Sequence, residues 1–154
     1  MDKRFDIVIS GGGVAGLTAA CAFGVAGFSV LCLDPAAPVV AREAEGADLR
    51  TTAFLQPARN LLEDIGLWDA LGPHAAPLNI MRIVDAGGPA PEARVIRDFN
   101  SAEISDHPFG WNLPNWLLRR EMVARIEALD TVEFRPGTAS KSLFTRETEA
   151  FVGL

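Results

Sequence analysis

Three glycines in G-x-G-x-x-G spacing, Gly11, Gly13 and Gly16, are the residues of this chain best placed to do chemistry. They follow an apolar run, Ile7-Val8-Ile9, and open a helix-compatible stretch. Gly27, a second apolar run from Phe28 to Leu33 and the acid Asp34 come next. A turn of this kind can hold a pyrophosphate. Gly11 permits the tight turn, Gly13 lets backbone approach the phosphates, and Gly16 lets helix and strand pack closely. The phosphates would lie at the helix start, where amides without intrahelical acceptors and the helix dipole favour negative charge. Asp34 is placed to accept hydrogen bonds from an adenosine ribose, and the same charge would repel a ribose 2′-phosphate. The competing reading is a parallel βαβ unit whose glycines serve packing alone. Ala20, Gly27 and Val30 fall where the longer fingerprint wants a small residue, a helix stop and a core side chain. The whole sequence of strand, turn, helix, strand and acid therefore favours a dinucleotide site.

The elements that must position this site follow from periodicity and punctuation. A first helix is predicted over residues 14–26, with Gly27 as its left-handed stop. Pro35 to Pro38 reads as a loop. A polar stretch, residues 42–50, precedes a second helix that begins near Pro57, with Leu61, Leu62 and Ile65 on one face and Gly66 at its end. Residues 79–85 and 94–99 are β-like and flank a glycine- and proline-rich connection, residues 86–91, in the manner of a long hairpin. The segment from Pro108 to Pro114 reads as irregular and aromatic. A third helix is expected over 116–129, with Leu118, Met122, Ile126 and Leu129 on one face, and a short strand over 131–135. The class is α/β: a Rossmann-like domain for a dinucleotide, FAD or NAD(P), with the start of a further β-rich layer, into which residues 79–111 are inserted as a hairpin. The last residues, 149–154, look like a strand in mid-run. The chain, 1–154, is read as the front, N-terminal part of a longer dinucleotide-binding protein.

Composition narrows the class of partner. The 154 residues carry a formal net charge of −6, 49% hydrophobic and 22% charged residues, which describes a globular domain able to bury a core. An acidic chain with scattered Lys and Arg carries no electrostatic footprint for nucleic acid. Residues 1–4 run straight into a strand and leave no room for a secretory signal, and no apolar run approaches the ~18 residues of a spanning helix. Cys21 and Cys32 sit in core-type segments at a spacing that matches no metal or redox motif, and are read as buried free thiols in a reducing cytoplasm.

Past Asp34 the chain departs from the regular alternation of a nicotinamide dehydrogenase. It has Asp48-Leu-Arg-Thr-Thr-Ala-Phe54, then a helix ending in Leu61-Leu-Glu-Asp-Ile-Gly-Leu-Trp68, and later Asn115-Trp-Leu-Leu118. These motifs, in this order, resemble the flavoprotein aromatic hydroxylases, and most closely their ubiquinone-biosynthesis branch. The resemblance covers essentially the whole chain. It implies that Gly11, Gly13 and Gly16 face the pyrophosphate of FAD and that Asp34, where the family usually has Glu, meets the adenosine ribose. It also places Arg50 near the flavin side of the cofactor and Asn115 beside the ribityl chain. Phe54 replaces the leucine of the family's Ala-Leu pair. Two family hallmarks, an Asp-Gly segment and a Gly-Asp-Ala-x-His segment, are expected beyond Leu154. The implied activity is hydroxylation of a prenylated phenol in a quinone pathway, with FAD as cofactor, NAD(P)H as reductant and O₂ as oxygen source. The implied enzyme draws its substrate from the inner membrane as a peripheral protein. An FAD oxidoreductase of a reductase-like or halogenase-like branch, and a non-catalytic dinucleotide-binding module, remain alternatives.

The remaining candidates read as structural. Asn115 precedes a helix, so an N-cap role competes with a cofactor role. Arg119, one turn later, could reach a phosphate, and is read first as solvated surface. His74 and His107 lack a partner at metal or triad spacing and fall in loops. Trp68, Trp111 and Trp116 are read as packing. No metal site is expected and no residue is singled out for catalysis.

Overall fold

A computed structural model describes residues 3–88 and 92–154. The elements in chain order are β1 (Ile7–Ser10), α1 (Val14–Val25), β2 (Val30–Asp34), β3 (Thr51–Leu55), α2 (Gln56–Asp64) and α3 (Trp68–Leu71). There follow β4 (Ala76–Leu78), β5 (Ile80–Asp85), β6 (Val95–Asn100), β7 (Gly110–Pro114), α4 (Asn115–Glu127), β8 (Val132–Pro136), β9 (Ser142–Thr145) and β10 (Ala150–Gly153). Short 3₁₀ turns lie at Gly72–His74 and Ser101–Glu103.

The expected βαβ unit forms. β1 and β8 flank β2, both parallel to it, in the order β1-β2-β8. β2 is buried at every position but its terminal acid, as a central parallel strand covered on both faces must be. α1 packs on this sheet through small residues one turn apart. A Cβ on Gly16 would fall far inside van der Waals contact with the Gly11 carbonyl, and one on Gly24 would strike Val132. Ala20 between them is fully buried. Gly27 stops the helix at φ +90°.

α4 lies beside α1 and runs parallel to it. Thr18 Oγ1 sits 3.7 Å from Met122 Sδ, and six residues further along α1 the Gly24 carbonyl accepts a 2.9 Å bond from Thr131 Oγ1. The two helices therefore begin at the same end of the domain. Leu117, Leu118, Met122 and Ile126 bury the inner face of α4; Leu129 lies beyond the helix and is only half-buried. In α2, Leu62 is buried, but Leu61, expected beside it, is 41% exposed.

A second sheet, order β3-β7-β4 and antiparallel throughout, runs through the segment read from sequence as irregular, residues 108–114. β7 is its centre, so Pro108 to Pro114 is not a loop beyond Phe109. Gly110 and Trp111, assigned from sequence to the inserted segment, are the first residues of that strand. Glycine and proline punctuation had suggested irregularity. Here Gly110 packs against the Phe54 backbone so closely that no Cβ fits, and Pro114 ends the strand where it meets α4. The β5–β6 hairpin pairs antiparallel from Ile80↔Asn100 to Asp85↔Val95, as expected. Part of its connection, residues 89–91, lies outside the described residues. β9 and β10 form a further antiparallel pair.

Candidate cofactor site

Asp34 ends β2 directly beneath the glycine turn. Its Oδ2 accepts a 2.6 Å bond from the Gly12 amide and its Oδ1 a 2.8 Å bond from the Ala36 amide. The carboxylate thus braces the turn as well as offering acceptors, since each oxygen keeps a further lone pair. The Gly11 amide donates to the Leu33 carbonyl at 2.7 Å, and Gly11 holds φ +121°, a region closed to most L-residues. A Cβ on Gly13 would meet nothing within 4 Å, so backbone there is open to a ligand. The Gly13 carbonyl accepts from Leu17 at 2.9 Å, and the amides of the first turn before Leu17 lack intrahelical acceptors. Gly11, Gly13, Gly16 and Asp34 are brought together as the spacing required.

Arg50 and Asn115 meet at the N-terminal end of α4, and the residue that joins them is Asp48. Arg50 donates to Asp48 through Nε and Nη2, both at 2.8 Å, and through its backbone amide at 3.2 Å. Asn115 Nδ2 donates to Asp48 Oδ2 at 3.0 Å, while Asn115 Oδ1 accepts from the Thr52 hydroxyl at 2.6 Å. The bonds from Arg50, then those from Asn115, hold the Asp48 carboxyl well below the usual carboxylate range. The N-cap reading of Asn115 is not what forms: Pro114 occupies the cap position with no side-chain cap bond. The first amides of α4, on Asn115 and Trp116, are satisfied by the carbonyls of Arg50 and Asp48.

Arg119 is not solvated surface. Its side chain is 24% exposed, its Nη2 lies 3.6 Å from Asp48 Oδ2, and its Nε is buried without a partner. Sequence offered one signal, the helical spacing from Asn115. Two guanidinium groups against one carboxylate leave this corner with a net positive charge in an acidic chain. An open glycine turn, a carboxylate with acceptors to spare and a pair of arginines with an unmet buried donor are groups that could hold a dinucleotide with an anionic pyrophosphate.

Trp68 and Trp111 pack edge to face at 5.5 Å with the Arg59 guanidinium over both rings, and Arg120 covers Trp116. His74 lies in a 3₁₀ turn and His107 in an exposed bend. Burial pushes the thiols of Cys21 and Cys32 up to about 11. Among the described residues, no three His, Cys, Asp or Glu side chains gather as a metal site.

The chain belongs to the FAD binding domain family, whose model matches residues 4–150. It is 38% identical over 128 residues to the ubiquinone hydroxylase UbiL of Rhodospirillum rubrum, a match that covers 83% of this chain and 28% of that protein. The fold matches that of p-nitrophenol 4-monooxygenase PnpA from Pseudomonas putida DLL-E4 with a TM-score of 0.76 at 21% identity, over 99% of this chain and 36% of that one. The anhydrotetracycline hydroxylase OxyS from Streptomyces rimosus is similar at TM-score 0.71 and 26% identity, over 97% and 28% of the respective chains. The chain therefore spans under a third of the length of its curated relative, 28%.

Proposed function

We propose that this chain is the FAD-binding front of a longer flavin-dependent hydroxylase that acts on a prenylated phenol in quinone synthesis. The observation that carries the reading is the Asp34-braced glycine turn at the start of α1, accompanied by the Asp48–Arg50–Asn115 cluster at the start of α4, in a chain of the FAD binding domain family. The hydroxylase at 38% identity supports the choice of substrate class.

In this reading the amides at the start of α1 hold the pyrophosphate, with Gly13 giving backbone access and Gly16 keeping the helix close. Asp34 accepts from the adenosine ribose while keeping the turn in shape. Arg50 and Asn115 lie on the flavin side. Bound FAD supplies the redox chemistry, and the protein supplies binding, orientation and electrostatics. The net reaction consumes phenol, O₂, NAD(P)H and a proton, and yields the ring-hydroxylated phenol, NAD(P)⁺ and water.

The β5–β6 hairpin begins the substrate side. Ile80, Ile83, Val84, Val95, Ile96 and Phe99 are all about half exposed, as suits a layer completed by further chain and visited by an apolar substrate. Among the described residues no helix is long and apolar enough to cross a membrane. A prenylated substrate would then reach the enzyme by peripheral association with the bilayer surface. The test is to incubate the complete enzyme with a prenylated phenol and NAD(P)H under ¹⁸O₂. The reading predicts one heavy oxygen in a new ring hydroxyl. Reduction of a carbon–carbon double bond, or halogenation, without oxygen incorporation would assign the chain to another branch of FAD enzymes.

A further inference from the structure

We propose that Asp48 is a positioning residue of this site: its carboxylate sets the Arg50 guanidinium and the Asn115 carboxamide in the orientation in which they face the cofactor. The assignment rests on the cofactor reading above and names a residue that touches the site only through others.

Arg50 shows why a positioning residue is needed. Its side chain is 83% exposed, and a long, solvated arginine has many rotamers to choose from. The two 2.8 Å bonds from Nε and Nη2 fix the plane of the guanidinium, because a fork that grips both carboxylate oxygens has one geometry. Asp48 is itself held. Its side chain is only 10% exposed, and its carbonyl accepts from the Trp116 amide.

The Asn115 carboxamide is fixed by the same atom set. A carboxylate can only accept, so the group of Asn115 that faces Asp48 must be its Nδ2, and the group that faces Thr52 must be Oδ1. This leaves one Nδ2 hydrogen and one Oδ1 lone pair with a defined direction. Without the carboxylate the amide is free to flip, and donor and acceptor exchange places.

Electrostatics makes the proposal testable by sign. A carboxylate that is only a neighbour of bound phosphates opposes them, so neutralising it would strengthen anion binding. A carboxylate that positions donors does the reverse. Arg119, 3.6 Å from Oδ2, keeps the corner cationic while Asp48 is spent on orientation.

The experiment uses the apo form of the complete enzyme, titrated with FAD and followed by flavin fluorescence. Wild type is compared with Asp48→Asn, Arg50→Ala and the double variant. Asp48→Asn is expected to weaken FAD binding roughly tenfold, the scale of one charge-assisted hydrogen bond. In the Arg50→Ala background the same change is expected to cost only about two- to threefold, the part exerted through Asn115, because coupled residues are non-additive. Unchanged or tighter binding by Asp48→Asn would overturn the proposal, as would an undiminished tenfold loss in the Arg50→Ala background. If Asp48→Asn does not fold, Arg50→Lys decides: it keeps the charge but cannot take both carboxylate oxygens, and wild-type affinity there would refute positioning. A wild-type enzyme that takes up no FAD would overturn the cofactor reading itself, before any variant is compared.

Discussion

Gly16 packs under Gly11 so closely that a methyl group on its Cα would overlap the Gly11 carbonyl oxygen. Three residues earlier, a Cβ on Gly13 would meet nothing. The two glycines therefore do different work, one in packing and one in access. Gly16→Ala is expected to destabilise the fold by about 1–3 kcal/mol, the usual cost of overpacking. Gly13→Val is expected to leave the unfolding midpoint nearly unchanged while abolishing FAD uptake. Urea unfolding and FAD titration of both variants in the complete enzyme separate the effects. FAD uptake by Gly13→Val at the wild-type level would show that the turn serves packing alone.

Asp48 makes part of the stability depend on pH. Its hydrogen bonds favour the charged form, so the folded-state pKa lies below the unfolded value of about 3.9. The group binds its proton more readily when unfolded. Its contribution is therefore complete above about pH 4–5 and is lost as pH falls through the depressed folded value. Asp6, Asp98 and Glu133 are shifted in the same direction and add to the acid loss. Stability from urea unfolding at pH 7 and pH 3 should fall less for Asp48→Asn than for wild type. An equal fall would show that Asp48 contributes nothing to acid sensitivity.

The two cysteines should be chemically silent in the native protein. Burial raises both thiols to about 11, so little thiolate exists near neutrality. Iodoacetamide at pH 8 is expected to label neither Cys21 nor Cys32 until urea unfolds the chain. Rapid labelling of either one under native conditions would contradict the burial described.

The first sheet and the glycine turn were legible because their signals are local. A βαβ unit with G-x-G-x-x-G needs Gly11, Gly13 and Gly16 for reasons of backbone geometry, and Asp34 follows from the length of the unit. The β5–β6 hairpin was legible from two β-like runs around a turn. β3 and β7 were not. β3 pairs with β7 across more than fifty residues of sequence, β7 pairs on its other side with the three-residue β4, and glycine and proline at the ends of β7 read locally as irregular. Asn115 was half legible: its place before α4 suggested a cap, but the carbonyls of Asp48 and Arg50 satisfy the helix start and leave the side chain for the site. Arg119 was half legible: its place one turn after Asn115 suggested a phosphate partner, but solvation is the ordinary fate of an arginine on a helix. Its neighbour Asp48 lies seventy-one positions earlier in the chain, a contact that periodicity does not report.

The central claim is that Asp34 and the glycine turn form the adenosine end of an FAD site, and ligand discrimination tests it most directly. The apo-form of the complete enzyme should be titrated with FAD and with NADP, in wild type and in Asp34→Ala. The account predicts that wild type saturates with FAD and rejects NADP, whose 2′-phosphate would face the Asp34 carboxylate. Asp34→Ala should weaken FAD by about 1–3 kcal/mol through the lost ribose contact and the unbraced Gly12 amide. Unchanged FAD affinity in Asp34→Ala, or NADP binding as tight as FAD in wild type, would contradict the account.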